Sequence, residues 1–291
     1  MAGSEEIHNY LEVAKKLALE CGEIFESALA LGKRVDTKSS DYDLVTEYDR
    51  AIEALLIEGL SSKFPEHKFI AEESTAAANE MSALTDSPTW LIDPIDGTTN
   101  FVHGFSQCCI SMGLTVKKRL VLGLIYNPSS NEMFTAIRGE GAFLNGKRMN
   151  TSKITELNKS LVYIEPMGIR QSGKNRDIAV ARFEAFVCST QGIRSFGSAA
   201  LGLAYVARGT LDALHLDHVG PWDVAAGALL VEEAGGVVID PKGGPHDLMN
   251  PKTIAAATEK LARDISKMVV DTDLITQRKR LTRVPSSTKL L

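Results

Sequence analysis

The spacing of apolar side chains along the chain predicts two helices followed by the first strand of a sheet. Apolar residues recur at helical spacing over residues 4–31, and Gly32 ends the pattern. A second helical pattern covers residues 46–64 and stops at Pro65, which cannot continue a helix. The short apolar run at 68–71 that follows is typical of a strand.

Strand-like patterns fill the middle of the chain, and strands alternate with helices in its second half. The middle strands are predicted at 107–116, 120–126 and 132–137, with turn-forming residues at 117–119 and 127–131. In the second half we predict strands at 161–165, 193–195, 211–216 and 237–240, and helices at 176–188, 198–208 and 223–234. This order favours one compact domain of mixed α and β structure over residues 1–275. Its first half, to about residue 150, leans towards antiparallel pairing, its second half (151–275) alternates, and a flexible basic tail follows at 276–291.

Composition narrows the classes of protein to which the chain can belong. A formal net charge of −5 over 291 residues argues against a nucleic-acid-binding surface. No window approaches the roughly 18 apolar residues that a membrane-spanning helix needs, and the acidic N-terminus does not resemble a signal peptide. The four cysteines lack the C-x-x-C spacing of zinc sites. We therefore expect a cytoplasmic protein with reduced thiols that binds neither membrane nor nucleic acid.

The strongest chemical signal is a pair of carboxylates that follows an apolar run. The run leads to Asp93, Pro94 is expected to end the strand, and Asp96 comes two residues later. The Ile95 carbonyl lies between the two acids, and carboxylate and carbonyl oxygens suit a hard cation such as Mg²⁺. The amides at 97–99 stand at the start of a possible helix, a place that favours phosphate. The alternative is a structural turn in which an aspartate only caps a helix.

Two further acidic motifs stand next to predicted strands and helices. Glu72 and Glu73 directly follow the strand at 68–71, and Asp223 begins the helix at 223–234. A solvated loop would explain the two glutamates, and the helix dipole would explain the aspartate. The functional interpretation makes Asp223 a third carboxylate that projects toward a metal ion.

Together these motifs resemble the inositol monophosphatase family of Mg²⁺-dependent, lithium-sensitive phosphatases. The resemblance rests on Glu72-Glu73-Ser74, Asp93-Pro94-Ile95-Asp96-Gly97-Thr98 and Trp222-Asp223, and it extends over about residues 5–270. It implies a layered αβαβα sandwich of the sugar-phosphatase type, a homodimer, and hydrolysis of myo-inositol monophosphate to inositol and phosphate. The alternatives are a related small phosphomonoesterase, acting on fructose bisphosphate, 3′-phosphoadenosine phosphate or histidinol phosphate, and a metal-binding scaffold that has lost turnover.

The resemblance also implies roles for individual residues. Two or three Mg²⁺ ions would be held by Glu72, Asp93, the Ile95 carbonyl, Asp96 and Asp223. Thr98, hydrogen-bonded to Asp49, would activate the attacking water together with Glu72. The substrate would contact Gly97, Thr98, Gly197, Ser198, Ala199, Asp217 and Asp223.

The roles of Asp49, Lys38 and Asp217 have competing explanations. The pattern Thr46-x-x-Asp49 resembles a capping box, which would account for Asp49 locally. Lys38 either approaches the phosphate or is simply solvated. Leu216 stands where inositol-selective relatives carry an acid that contacts the substrate's hydroxyls, and a one-residue bulge would be needed to bring Asp217 into its place.

Overall fold

The computed structural model describes residues 4–29, 35–37 and 44–283. Within these residues the helices are α1 Ser4–Leu29, α2 Glu47–Lys63, α3 Glu72–Ala78, α4 Thr98–His103, α5 Gly173–Ser189, α6 Ala199–Ala207, α7 Pro221–Glu233 and α8 Glu259–Arg283. The strands are β1 Val35–Thr37, β2 Leu44–Thr46, β3 Lys68–Ala71, β4 Thr89–Asp96, β5 Cys109–Val116, β6 Arg119–Asn127, β7 Glu132–Ile137, β8 Gly141–Leu144, β9 Lys147–Arg148, β10 Leu161–Ile164, β11 Gly192–Arg194, β12 Ala213–Leu216, β13 Val237–Ile239 and β14 Thr253–Ala256.

A seven-stranded sheet, ordered β3-β4-β5-β6-β7-β8-β9, forms the first β layer. Its strands pair antiparallel apart from β3 and β4, which run parallel. Helices α1 and α2 cover one face, where Phe25 and Leu56 share a core with Trp90 and Leu122 of the sheet. Burial of one apolar stripe from each helix is what holds the helices on the sheet.

The other face of this sheet packs on α6 and α7, which separate it from a five-stranded sheet ordered β11-β10-β12-β14-β13. In the second sheet β10 runs parallel to β11 and β12, whereas β14 is antiparallel to β12 and β13. Helices α5 and α8 cover its outer face. The layers therefore run α, β, α, β, α, which confirms the sandwich that the resemblance implied.

Two glycines allow α7 to lie close against the seven-stranded sheet. A Cβ at Gly113 of β5 would lie 2.6 Å from Ala225 Cβ, and one at Gly123 of β6 would lie 2.6 Å from the Ala226 carbonyl oxygen. Any side chain at these positions would push the helix outward, because protein interiors are close-packed. The glycines thus set how near the first turn of α7, which carries Asp223, comes to the sheet.

The middle strands confirm the predicted hairpins, but the prediction that Pro94 ends its strand is wrong. Strand β4 continues through Pro94 to Asp96, and its pairing with β5 shifts register between Asp93 and Asp96. The irregularity takes Pro94 out of the hydrogen-bond ladder, so its missing N–H costs no pairing. The same irregularity re-aims the residues between the two aspartates.

The C-terminal helix α8 was not among the predicted elements, and it runs into the predicted tail. Residues 276–283, predicted as part of a flexible tail, continue α8, while 284–291 lie outside the described residues. Ion pairs one turn apart, such as Lys260 with Asp264 and Lys267 with Asp271, support this polar helix. Neither α8 nor any other helix in the described part of the chain is long and apolar enough to cross a membrane.

Candidate active site

Three acidic side chains meet where β3, β4 and α7 come together. Because β3 and β4 run parallel with Ala71 beside Ile92, Glu72 at the end of β3 lies next to Asp93 in β4. The first turn of α7 brings Asp223 to the same point. One carboxylate oxygen from each of the three residues lies within 4.8 Å of the others. We call Glu72, Asp93 and Asp223 the carboxylate cluster.

Backbone hydrogen bonds orient two members of the cluster. Asp93 Oδ1 accepts the N–H of Ile95 at 3.0 Å. Asp223 Oδ2 accepts the N–H of Gly220 at 2.7 Å, so this aspartate also caps α7. The structural and the functional interpretations of Asp223 are therefore both consistent with its position.

Burial and mutual repulsion make these carboxyl groups hard to ionise. Burial, followed by the charges of neighbouring acids, raises the pKa of Asp93 and that of Asp223 well above the ordinary value. Among the residues that the structure describes, no lysine or arginine forms an ion pair with Asp93, Asp96 or Asp223. A divalent cation would supply the missing positive charge, and carboxylate oxygens are ligands that Mg²⁺ prefers. The donor set of the cluster thus fits such an ion.

Asp96 stands beside the cluster and is held by the N-terminus of α6. Its carboxylate accepts hydrogen bonds from Ser198 Oγ at 2.6 Å, Ala200 N at 2.7 Å and Ala199 N at 3.3 Å. Burial raises the pKa of Asp96 to about 6, although these hydrogen bonds oppose the shift. After burial and the charge of Glu72, the charge of Asp96 also raises the pKa of Asp93. The protein's own carboxylate thus occupies the anion-binding end of α6.

The turn at 197–199, predicted to contact the substrate, is held by two residues that the sequence analysis missed. Gly197 N donates to Glu165 Oε1 at 2.8 Å, and Ser198 N donates to Tyr163 Oη at 3.1 Å. The amides of the turn therefore meet protein acceptors. Glu165 directly follows β10, as one acid of the cluster follows β3, and an acid at a strand end is the signal that could have identified it.

The two segments predicted to line the substrate pocket lie against each other. A Cβ on Gly97 would approach the Gly197 carbonyl oxygen to 3.0 Å and that of Gln107 to 2.9 Å. Gly97 also takes a φ of 94°, which favours glycine, and α4 begins at the next residue. Two independent constraints thus require glycine at this position.

Thr98 and Asp49 meet although 49 residues separate them. Thr98 Oγ1 lies 3.3 Å from Asp49 Oδ1 and 3.2 Å from the Ile95 carbonyl oxygen. Its single proton serves one of these acceptors at a time. Asp49 Oδ2 accepts Thr46 N at 2.7 Å and Thr46 Oγ1 at 2.5 Å. The capping box and the pairing with Thr98 therefore coexist.

Glu53, which the sequence analysis also missed, fixes the start of α3. Its carboxylate accepts the N–H of Glu73 at 2.7 Å, the N–H of Ser74 at 2.8 Å and the Ser74 hydroxyl. These bonds replace the side-chain cap that Ala71 does not provide. They hold the turn that carries Glu72, so a buried acid on α2 positions a member of the cluster.

The one-residue bulge that would bring Asp217 into the place of the missing acid is absent from β12. Strand β12 pairs with β14 without a bulge, Leu216 stands opposite Thr253, and the Leu216 side chain is buried between the two sheets. Asp217 pairs instead with Arg182, which also binds the two carboxylate oxygens of Asp273 at 2.7 and 2.6 Å. Asp217 and Arg182 line a cavity of about 330 Å³ whose wall contains no residue of the carboxylate cluster.

Comparison with known proteins gives one consistent result. The profile of the Inositol monophosphatase family matches residues 6–272. The chain is 46% identical to Inositol monophosphatase 2 of Solanum lycopersicum over 88% of its own length and 96% of that protein. It is 42% identical to Inositol monophosphatase 1 of Bos taurus over 89% and 93% of the two chains.

A solved structure agrees with these sequence matches. The inositol monophosphatase of Anabaena superposes with a TM-score of 0.79 at 31% identity, covering 91% of this chain and 96% of the other. Sequence and fold therefore lead to the same assignment: the chain belongs to the inositol monophosphatase family.

Proposed function

We propose that the protein hydrolyses myo-inositol monophosphate to inositol and phosphate, with Mg²⁺ as its cofactor. The observation that carries the proposal is the convergence of Glu72, Asp93 and Asp223. The Thr98–Asp49 pair is linked to this cluster through Ile95, whose carbonyl lies 3.2 Å from Thr98 Oγ1 and whose N–H donates to Asp93. The names of the relatives support the choice of substrate, since the proteins from tomato and cattle are inositol monophosphatases.

The cluster would hold the metal, and its neighbours would complete the ligand set. Glu72, Asp93 and Asp223 supply carboxylate oxygens, with Asp96 and the Ile95 carbonyl as further ligands in a site for two or three ions. Bound Mg²⁺ supplies charge neutralisation for the phosphate and lowers the pKa of a bound water. Burial and the neighbouring acids raise the pKa of Asp93 and of Asp223, and this electrostatic situation supports a role for a cation here.

Thr98 would orient the attacking water. When its hydroxyl proton points to Asp49 Oδ1, the Thr98 oxygen presents its lone pairs outward and accepts a proton of the water. Asp49 stays in place because Thr46 binds its other oxygen twice. Glu72 would be the second acceptor for this water, whose attack on the phosphorus is expected to be in line with the leaving oxygen.

The phosphate would bind at the start of α4. No side chain caps this helix, so the amides at 97–98 are the natural donors to an anion. Ser198 and Ala199 would act on the substrate through Asp96 and by shaping the wall at Gly197, because their own amides meet protein acceptors. Lys38, a further candidate for phosphate contact, lies outside the described residues.

The resemblance supports further proposals about the whole molecule. We propose a cytoplasmic homodimer, inhibited by lithium, in which residues 1–275 fold as one domain. Sedimentation equilibrium tests the dimer, and inhibition of phosphate release by LiCl tests the lithium sensitivity.

A panel of phosphomonoesters tests the proposed reaction. Phosphate release would be measured from inositol 1-phosphate, glycerol 2-phosphate, 3′-phosphoadenosine phosphate, fructose 1,6-bisphosphate and histidinol phosphate, each with Mg²⁺ and with excess chelator. We expect the highest kcat/KM on inositol 1-phosphate and no release in chelator. If phosphate were released from none of the five compounds, the alternative of a metal-binding scaffold without turnover would be favoured. A clear preference for another compound would identify that compound as the substrate.

A further inference from the structure

A chain of hydrogen bonds begins at Glu165, which directly follows β10 of the five-stranded sheet, and ends on Asp96. Glu165 Oε1 accepts Gly197 N at 2.8 Å and also accepts the Tyr163 hydroxyl. Tyr163 Oη in turn accepts Ser198 N at 3.1 Å. Ser198 Oγ then donates to Asp96 at 2.6 Å. The turn at 197–200 is therefore held from β10 on one side and holds Asp96 on the other.

We infer that Glu165 and Tyr163 are positioning residues that fix the turn at 197–200, and through it Asp96, in the arrangement required by the metal centre. The inference rests on the proposed function, because the orientation of Asp96 matters to activity only if a cation binds beside it. Neither residue belongs to the motifs that carried the family resemblance.

The Tyr163 hydroxyl is held in place by the packing around its ring. The side chain is fully buried. A Cβ on Gly202 would lie 3.0 Å from the ring, and the ring centroid of Phe196 lies 4.4 Å away. Burial, followed by the charge of Glu165, raises the pKa of Tyr163 well above its ordinary value, so the hydroxyl stays protonated and donates to that carboxylate.

The turn needs this support because its backbone conformation depends on glycine. Gly197 takes a φ of 75°, which glycine adopts readily and residues with a Cβ rarely adopt. Asn100 Nδ2 holds the preceding carbonyl, that of Phe196, at 2.5 Å. Beyond it, Glu165 and Tyr163 take the next two amides. Removal of the Tyr163 hydroxyl would leave the buried Ser198 N–H without a partner, and removal of the Glu165 carboxylate would release the exposed Gly197 N–H, so that the turn could shift.

A second tyrosine–glutamate pair in the same chain offers a matched control. Tyr10 Oη donates to Glu6 Oε1 at 2.5 Å, and the Tyr10 ring is buried like that of Tyr163. This pair lies in α1, on the outer layer of the sandwich, and its hydroxyl accepts no amide of the 197–200 turn. Tyr10→Phe and Tyr163→Phe therefore delete the same hydroxyl in two different settings.

Calorimetric titration of Mg²⁺ into each variant, without substrate, separates positioning from stability. We expect both tyrosine variants to lower Tm by a few degrees. Only Tyr163→Phe should weaken Mg²⁺ binding, by about threefold to tenfold, since loss of an outer partner of a metal site commonly costs 10–100-fold and this partner is one step further out. An unchanged Mg²⁺ affinity in Tyr163→Phe would overturn the inference.

A double-mutant cycle with Ser198→Ala tests the proposed route. Ser198→Ala removes the hydroxyl that holds Asp96, so Tyr163→Phe should weaken Mg²⁺ binding less in that background than in the wild type. Tyr10→Phe should change the affinity equally little in both backgrounds. Full additivity of Tyr163→Phe and Ser198→Ala would show that Tyr163 acts by another route and would overturn the inference.

Glu165 provides the second variant in case Tyr163→Phe does not fold. Glu165 is only partly buried, so Glu165→Ala should fold, and it should weaken Mg²⁺ binding by the same threefold to tenfold. Glu165→Gln keeps an acceptor oxygen for Gly197 and should restore most of the affinity. Equal losses in both variants, or no loss in either, would refute the positioning role. If the wild type itself binds no Mg²⁺, the proposed function fails instead.

Discussion

Asp49 and Asp223 occupy the same local position in two helices and serve different ends. Each is the third residue of its helix, and each accepts the backbone N–H of the cap residue at 2.7 Å, from Thr46 and from Gly220. The other oxygen of Asp49 faces Thr98, whereas Asp223 joins the carboxylate cluster. The cap fixes where a carboxylate stands, and neighbours from distant parts of the chain decide what it does.

The largest effects should come from replacing each of these aspartates by asparagine, which keeps an acceptor oxygen for the cap. Asp223→Asn removes a charge from the cluster, so we expect kcat/KM to fall at least about 100-fold together with a large loss of Mg²⁺ affinity. Asp49→Asn should lower kcat by about 100-fold or more while Mg²⁺ affinity stays within about twofold. Steady-state kinetics over a range of Mg²⁺ concentrations, with calorimetry, measures both.

Identical profiles for the two variants would break this comparison. If Asp49→Asn lost Mg²⁺ affinity as Asp223→Asn does, Asp49 would belong with the metal ligands. If Asp223→Asn kept its affinity for Mg²⁺, its role would be limited to the cap of α7.

The two threonines that contact Asp49 should separate turnover from stability. Thr98→Ala removes the hydroxyl that we propose orients the water, and it should lower kcat about 10²–10⁴-fold with little change in Mg²⁺ affinity. Thr46→Ala removes only the cap hydroxyl and should cost about 0.5–2 kcal/mol of the free energy of unfolding. Kinetics at saturating substrate and thermal melts distinguish them. Near-normal turnover in Thr98→Ala would reduce Thr98 to a structural residue of α4.

The chelated protein should lose stability as the pH rises. The pKa of Asp96 is raised from 3.8 to about 6 in the folded state, so the folded protein binds this proton more tightly than the unfolded chain. That stability is fully present below about pH 4 and disappears as the pH rises through 6. It amounts to about 3 kcal/mol for this group, or several degrees of Tm.

Thermal melts from pH 4.5 to 7.5, with chelator and with Mg²⁺, measure this dependence. The Tm of the chelated protein should fall as the pH rises, because the buried carboxyl groups lose their protons. At pH 7.5, Mg²⁺ should restore most of the lost Tm. A chelated protein that gains Tm over this range would contradict the picture of repelling buried carboxylates.

The smallest effect concerns substrate choice. Because Asp217 pairs with Arg182 in a cavity whose wall contains no residue of the carboxylate cluster, Asp217→Ala should change the rates on inositol 1-phosphate and glycerol 2-phosphate by the same factor. Asp273→Ala, which removes the other partner of Arg182, is the matched control and should behave alike. A selective loss of inositol 1-phosphate hydrolysis in Asp217→Ala alone would return Asp217 to the substrate pocket.

The parts of the site that the sequence predicted are those encoded over short distances. The spacing of Asp93 and Asp96, the strand before Glu72 and the cap at Asp223 are all visible within a few residues. The layered fold came from the resemblance, and the element pattern agreed with it. Polar α8 was not predicted, because ion pairs along its surface and its packing on α5 support it where an apolar stripe would normally do so.

The parts that sequence could not predict depend on pairing across long separations. Glu165 meets Gly197 from the end of another strand, and Glu53 meets Ser74 from a neighbouring helix. Asp217 pairs with Arg182, which lies 35 residues away on α5 and which no local motif indicates. The partners of a carboxylate, more than its position in a motif, decide whether it contacts substrate, binds metal or stabilises the fold.

The most direct test of the central claim is a crystal soaked in Mn²⁺, which replaces Mg²⁺ at carboxylate sites and scatters anomalously. The account predicts an anomalous peak between the carboxylates of Glu72, Asp93 and Asp223, and its loss in crystals of Asp223→Asn. A wild-type crystal with no peak at the cluster, or with a lysine or arginine side chain in its place, would contradict the account.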